Sequence, residues 1–140
     1  RGLGDVYKRQ HYQLRAILES ACAGLAAEEG VDISGIRDSY EESKAALGKG
    51  DYSQYASQNR EFHSEIWAAA GNKKMENMIA ELWNGLSMGN MVTEQEYAKI
   101  SIEEHGRIMD AIAAGDGERA KKEMYAHIMR SRDDMLTYYQ

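Results

Sequence analysis

The sequence predicts an all-α protein folded as an antiparallel helical bundle, and three observations carry that expectation. The 140 residues include no proline, while Ala, Glu, Met, Lys and Leu, all strong helix formers, are plentiful. Apolar side chains recur three and four residues apart, the spacing that lines one face of an α-helix. Glycines, several followed by Asp or Asn, break these stripes into six stretches with short connections, so sequential helices become antiparallel neighbours.

The first stretch covers residues 12–29, with Leu14, Ile17, Leu18, Ala21 and Leu25 expected inward and Gly30 at its end. Asp32 or Ser34 caps the second, whose inward set is Ile33, Ile36, Tyr40 and Leu47, ahead of Gly48 and Gly50. Asp51 caps the third; its stripe runs Tyr52, Tyr55, Asn59, Phe62, His63, Ile66 and Ala70 and stops at Gly71. Asn72 reads as a helix-end residue completing that C-terminal cap. The fourth stretch is Met-rich, with Met75, Met78, Ile79, Leu82, Trp83 and Leu86, and residues 89–100 read as a helix continuation followed by a loop. Ser101 and Glu104 have the spacing of a capping box, which opens the fifth helix with Ile102, His105, Ile108, Met109 and Ile112 inward. Gly115 closes it. Asp116 then caps the sixth, which carries Ala120, Met124, His127, Ile128 and Met135 and runs nearly to Gln140.

Composition narrows the function classes. The length suits one domain with a sizeable core. A formal charge of −6 argues against this segment gripping a nucleic-acid backbone by itself. The lysine pairs at 73–74 and 121–122 stand beside Glu76 and Glu123, as on a solvated helix face. A single cysteine, Cys22, excludes an internal disulfide and suits a reducing cytoplasm. No apolar run approaches the ~18 residues that would read as a membrane span. Residues 1–10 (RGLGDVYKRQ) lack an initiator Met and an apolar period and read as a non-native leader, so residues 11–140 carry the functional reading; His11 is set aside with the junction.

Three histidines stand out. His63, His105 and His127 each fall on the apolar stripe of a different helix, so all three imidazoles should point into one interior. Asn59 lies one turn before His63 on the same face. Two explanations compete: a metal centre, or buried histidines that merely satisfy hydrogen bonds.

The blocks LRAILESACAGLAAE, FHSEIWAAAGN and EEHGRIMDAIAAGDGERAKKEMYAHI, in that order, resemble the effector-binding C-terminal (FCD) domain of GntR-superfamily transcription regulators of the FadR type. The likeness covers essentially the whole chain from Tyr12, and its most specific part is the spacing between Glu104 and Ile128. It implies a bundle of six to seven helices with a central ligand and metal pocket. It also implies a homodimer, and a winged-helix DNA-binding domain that precedes this chain and makes the only contact with DNA. In the metal-binding branch an aspartate and three histidines hold a divalent cation. The histidines match His63, His105 and His127, while Asn59 stands in the aspartate position. Zinc is the first expectation, nickel or iron the next, since imidazole suits all three. Asn59 brings no charge, so the ion would keep its full +2 and draw an anionic effector, a small organic acid, more strongly.

Arg15 has two readings: an effector-binding guanidinium that grips a carboxylate, or a surface pair with Glu19 one turn on. The methionines and both tryptophans read as core. A metal-dependent hydrolase is the alternative enzyme reading. It lacks a base, because Glu61 and Glu65 point away from the His63 stripe and Glu103 and Glu104 sit at a helix start. The other alternative is a structural bundle with buried histidines. The sequence therefore reads as a non-enzymatic, cytoplasmic sensor domain.

Overall fold

The computed structural model describes residues 3–85 and 94–138. Among them run six helices and no strand: α1 (Leu3–Ala26), α2 (Ser34–Gly48), α3 (Tyr55–Ala69), α4 (Lys73–Gly85), α5 (Glu94–Ala113) and α6 (Gly117–Tyr138). Leu86, residues 89–93 of the stretch expected as a helix continuation and loop over 89–100, and the last two residues lie outside the described part.

Helix ends follow local chemistry. Gly30, Gly50, Gly71 and Gly115 adopt φ between 72° and 86°, a conformation that side-chain-bearing residues avoid, and each stands where a helix has stopped. Asp116 Oδ1 accepts the Arg119 N–H at 3.1 Å, as the capping expectation requires, whereas Asp32 Oδ1 accepts the Ser34 N–H at 3.0 Å in the turn before α2, whose N-cap is Ile33 with no side-chain cap bond. Two further caps differ from expectation. Asn72 Oδ1 accepts the Met75 N–H at 3.0 Å, so it starts α4 rather than ending α3; Gly71 alone supplies the reversal. Asp51 binds the Ser53 N–H at 3.0 Å and thus shapes the turn leading into α3, not its first residue.

Three larger differences concern whole helices. α1 begins at Leu3, because no breaker separates residues 5–11 from the rest and extending a helix costs far less than starting one. α5 begins at Glu94, which places Ser101 and Glu104 inside it; the capping-box pattern is satisfied there by spacing alone, and both side chains are used elsewhere. The buried face of α1 is rotated from the expected one. Leu14 and Ile17 are 43% and 51% exposed, while Tyr12, Arg15, Ala16, Glu19, Cys22, Ala23 and Ala26 are buried.

That rotation has a packing cause. α1 lies centrally, packing most extensively on α6 and also on α3, α4 and α5. Small residues let α1 and α6 approach closely: a Cβ on Gly117 would stand 3.3 Å from the Gly24 carbonyl oxygen. Around this contact the core gathers Phe62, Ile66, Trp67, Ile79, Trp83, Ile108, Met124 and Ile128. Each large apolar side chain buried this way contributes about 1.5–3 kcal/mol.

Candidate metal centre

α3, α5 and α6 each deliver one histidine to the same interior point. His63, His105 and His127 are 1%, 0% and 3% exposed, and one ring nitrogen from each lies within 4.8 Å of the others. His63 Nε2 and His127 Nε2 stand 3.3 Å apart. Two nitrogens bound to one tetrahedral zinc at about 2.0–2.1 Å would be separated by roughly that distance. Phe62 stacks on His105 with ring centres 4.1 Å apart, and Trp83 tilts against His63 at 5.1 Å, so apolar rings fix the imidazole planes.

Sequence reasoning missed what holds those rings. Glu19, fully buried on α1, accepts His63 Nδ1 at 2.6 Å and Trp67 Nε1 at 3.0 Å on Oε1. Its Oε2 accepts Arg15 Nε at 2.9 Å and Trp83 Nε1 at 3.0 Å. Burial alone would push the Glu19 carboxyl up, but Arg15, His63 and the Trp67 hydrogen bond together hold it well below the usual range. Glu104 accepts His127 Nδ1 at 2.6 Å and Arg130 Nε at 2.9 Å; these partners outweigh its burial and lower it too. The expectation that no carboxylate shares the histidines' interior is therefore overturned at two positions. A signal for Glu19 was present: Tyr12, Ala16, Glu19, Cys22 and Ala26 form a helical stripe as regular as the leucine one.

Arg15 pairs with Glu19, as one of its readings had it, yet the pair is buried rather than at the surface. Its guanidinium carbon lies 4.2 Å from the centre of the Trp83 ring, and its Nη1 is buried without a hydrogen-bond partner. Asn59 is half-buried and its Oδ1 meets the Tyr55 hydroxyl at 3.3 Å. His11, set aside at the junction, is 6% exposed.

Two of the histidines, His105 and His127, are kept neutral. Burial foremost, then the neighbouring imidazoles and Arg130, drive His105 well below its ordinary value. Burial also takes His127 down to about 4, against the opposing pull of Glu104. A neutral imidazole with Nδ1–H on a carboxylate presents its Nε2 lone pair, the donor a transition metal takes. His105 Nδ1, buried with no partner, is an orphan that an ion would satisfy. The donor set fits a divalent transition metal.

Comparison with known proteins follows the same lines. The profile of the FCD domain family matches residues 10–130. The chain is 29% identical over 145 residues to the HTH-type transcriptional regulator LutR of Bacillus subtilis (strain 168), an alignment covering 94% of this chain and 64% of LutR. Its fold superposes on Streptococcus agalactiae GntR with a TM-score of 0.78 at 24% identity, covering 95% of this chain and 61% of that one. The chain thus spans less than two thirds of the length of either relative. With a six-helix bundle of the same fold and a family match over most of its residues, the chain belongs to the FCD domain family, the effector-binding domain of GntR-type regulators.

Proposed function

We propose that this domain senses a small organic acid through a divalent transition metal held by His63, His105 and His127. The observation that carries the reading is the convergence of three buried imidazoles, two of them braced by carboxylates. Such bracing is how metal-ligating histidines are ordinarily oriented. Asn59, one turn before His63, offers an amide oxygen as a weaker fourth ligand; one of its two lone pairs takes the Tyr55 contact. When bound, the ion supplies open coordination positions for a carboxylate, with zinc first and nickel or iron next in order of fit.

Charge supports an anionic effector. Around the histidines Arg15 and Arg130 face Glu19, Glu104 and, on the far side of Arg130, Asp134, so the protein would offset only part of an ion's +2. Arg15, with its free Nη1 against Trp83, is the effector-binding residue for a second acidic group. Binding would bias the relative placement of α1, α3, α5 and α6. Through a homodimer and a winged-helix domain preceding this chain, that bias would reach DNA in the cytoplasm.

A hydrolase is the weaker reading even with two carboxylates now beside the histidines. Glu19 spends its oxygens on four donors, Glu104 is clamped by Arg130, and both are held below the ordinary carboxylate range. Neither is free to take a proton from water. The described residues also include no helix long and apolar enough to cross a membrane.

Elemental mass spectrometry on protein purified without chelator or histidine tag tests the proposal. About one equivalent of a transition metal is expected in the parent and none in His127→Ala. Absence of metal from the parent after incubation with zinc or nickel would leave a structural bundle as the better account.

A further inference from the structure

Two arginines lean on one indole beside the histidine cluster, and the protein matches neither of them fully. Trp83 is 7% exposed, donates its Nε1–H to Glu19 Oε2 at 3.0 Å, and stands with its ring centre 5.1 Å from that of His63. The Arg15 guanidinium carbon lies 4.2 Å from the centre of the Trp83 ring and that of Arg60 lies 5.8 Å from it, both within cation–π range. Arg15 comes from α1. Arg60 comes from α3, three residues before His63 and so on the same side of that helix.

The two differ in what they leave over. Arg15 is 3% exposed and its charge is met by Glu19, whose Oε2 takes Nε at 2.9 Å, but its Nη1 is buried with no partner. Arg60 is half-buried; among the described residues its guanidinium has the Trp83 ring and no ion pair or hydrogen bond. Arg15 therefore brings a donor that lacks an acceptor, and Arg60 a charge that lacks a counter-ion. A carboxylate supplies both, since it accepts on two oxygens and carries one negative charge. A hydroxyl or an amide would satisfy Nη1 and leave the Arg60 charge unmatched.

We infer that Arg15 and Arg60 form a second anion subsite on the Trp83 platform, and that the effector is a short-chain dicarboxylate. Arg60 is the specificity-determining residue, because it separates an effector with two acid groups from one with a single group. Trp83 lies against His63, so the subsite and the histidine cluster are neighbours, which favours a short chain. That the first carboxylate sits at an ion rests on the metal-binding reading above; the arginine subsite does not.

Titration calorimetry on the whole chain compares succinate with butyrate, equal in carbon number but with two acid groups against one. Zinc-loaded parent is expected to bind succinate about tenfold tighter than butyrate. Arg60→Gln should weaken succinate about tenfold, to the level of butyrate, and leave butyrate as it was; Arg60→Lys, which keeps the charge, should recover part of the loss. Arg37→Gln removes an exposed cation on α2 and should change neither affinity. Equal affinities for the two acids, binding of neither, or equal losses of both in Arg60→Gln overturns the inference. Zinc content is measured on the same samples. A parent that takes up no zinc overturns the metal reading instead, and the same comparison on that protein then decides the subsite: succinate bound tighter than butyrate through Arg60 upholds it, and no difference overturns it.

Discussion

Glu19 is the side chain on which the site depends most. A fully buried carboxylate is tolerable only because Arg15, His63, Trp67 and Trp83 all donate to it. Removing it strands one buried guanidinium and three ring N–H groups together. Glu19→Ala is therefore expected to lower the free energy of unfolding by about 3–5 kcal/mol, read by urea denaturation of metal-free protein. The histidines set a pH dependence. An unfolded histidine takes its proton near 6.5, whereas His127 in the fold holds off until about 4 and burial holds His105 well below its ordinary value. The unfolded chain thus binds more protons in that window, and stability is full above about 6.5 and falls as pH drops towards 4. Lowered Glu19 and Glu104 add a loss of the same sign below the ordinary carboxylate range. Thermal unfolding from pH 7 to 4 should show a steadily falling midpoint; a flat profile would contradict neutral burial of these rings.

Among the helices, α1 and α5 teach the most. α1 turns Ala16, Ala23 and Ala26 inward and leaves Leu14 and Ile17 at the surface, since the close approach to α6 has room for small residues only. The contact at Gly24 and Gly117 is backbone against backbone, which a side chain cannot share. Gly117→Val is expected to cost about 1–3 kcal/mol through overpacking, measured as a lower denaturation midpoint with little change in the metal content of the folded protein. α5 shows a local signal losing to a tertiary one. The Ser101 hydroxyl serves Tyr55 and His105, and Glu104 serves His127 and Arg130, so neither side chain is spent on a helix start.

For the molecule as a whole, the histidines join three helices that are distant in sequence, at positions 63, 105 and 127. An ion bound there but not in the unfolded chain stabilises the fold by mass action, about 2.7 kcal/mol at a hundredfold excess over Kd. Zinc should raise the unfolding midpoint of the parent and have no such effect on His127→Ala. Asn59→Asp, which adds a charge one turn from His63, should reach the same midpoint at a lower zinc concentration; an unchanged zinc dependence would remove Asn59 from the site. These shifts are the expected signature of a sensor whose bound and free states differ in how firmly α3, α5 and α6 are tied together.

The sequence by itself determined the helical class, the helix ends marked by Gly30, Gly71, Gly115 and Asp116, and the meeting of His63, His105 and His127. Those features depend on residues three or four apart, or on one residue's own backbone freedom, and such information is local. Only the tertiary structure decided which face of α1 is buried, where α5 begins, and which groups hold the imidazoles. Glu19 lies 44 residues from His63, and Glu104 lies 23 from His127. Apolar periodicity scores a carboxylate as solvent-facing. It cannot register a partner that becomes available only when another helix packs against it. The ligands were legible because they sit on apolar stripes; Glu19 also sits on one, but neither its role nor that of Glu104 was legible, because their burial is stabilised by contacts the fold alone creates.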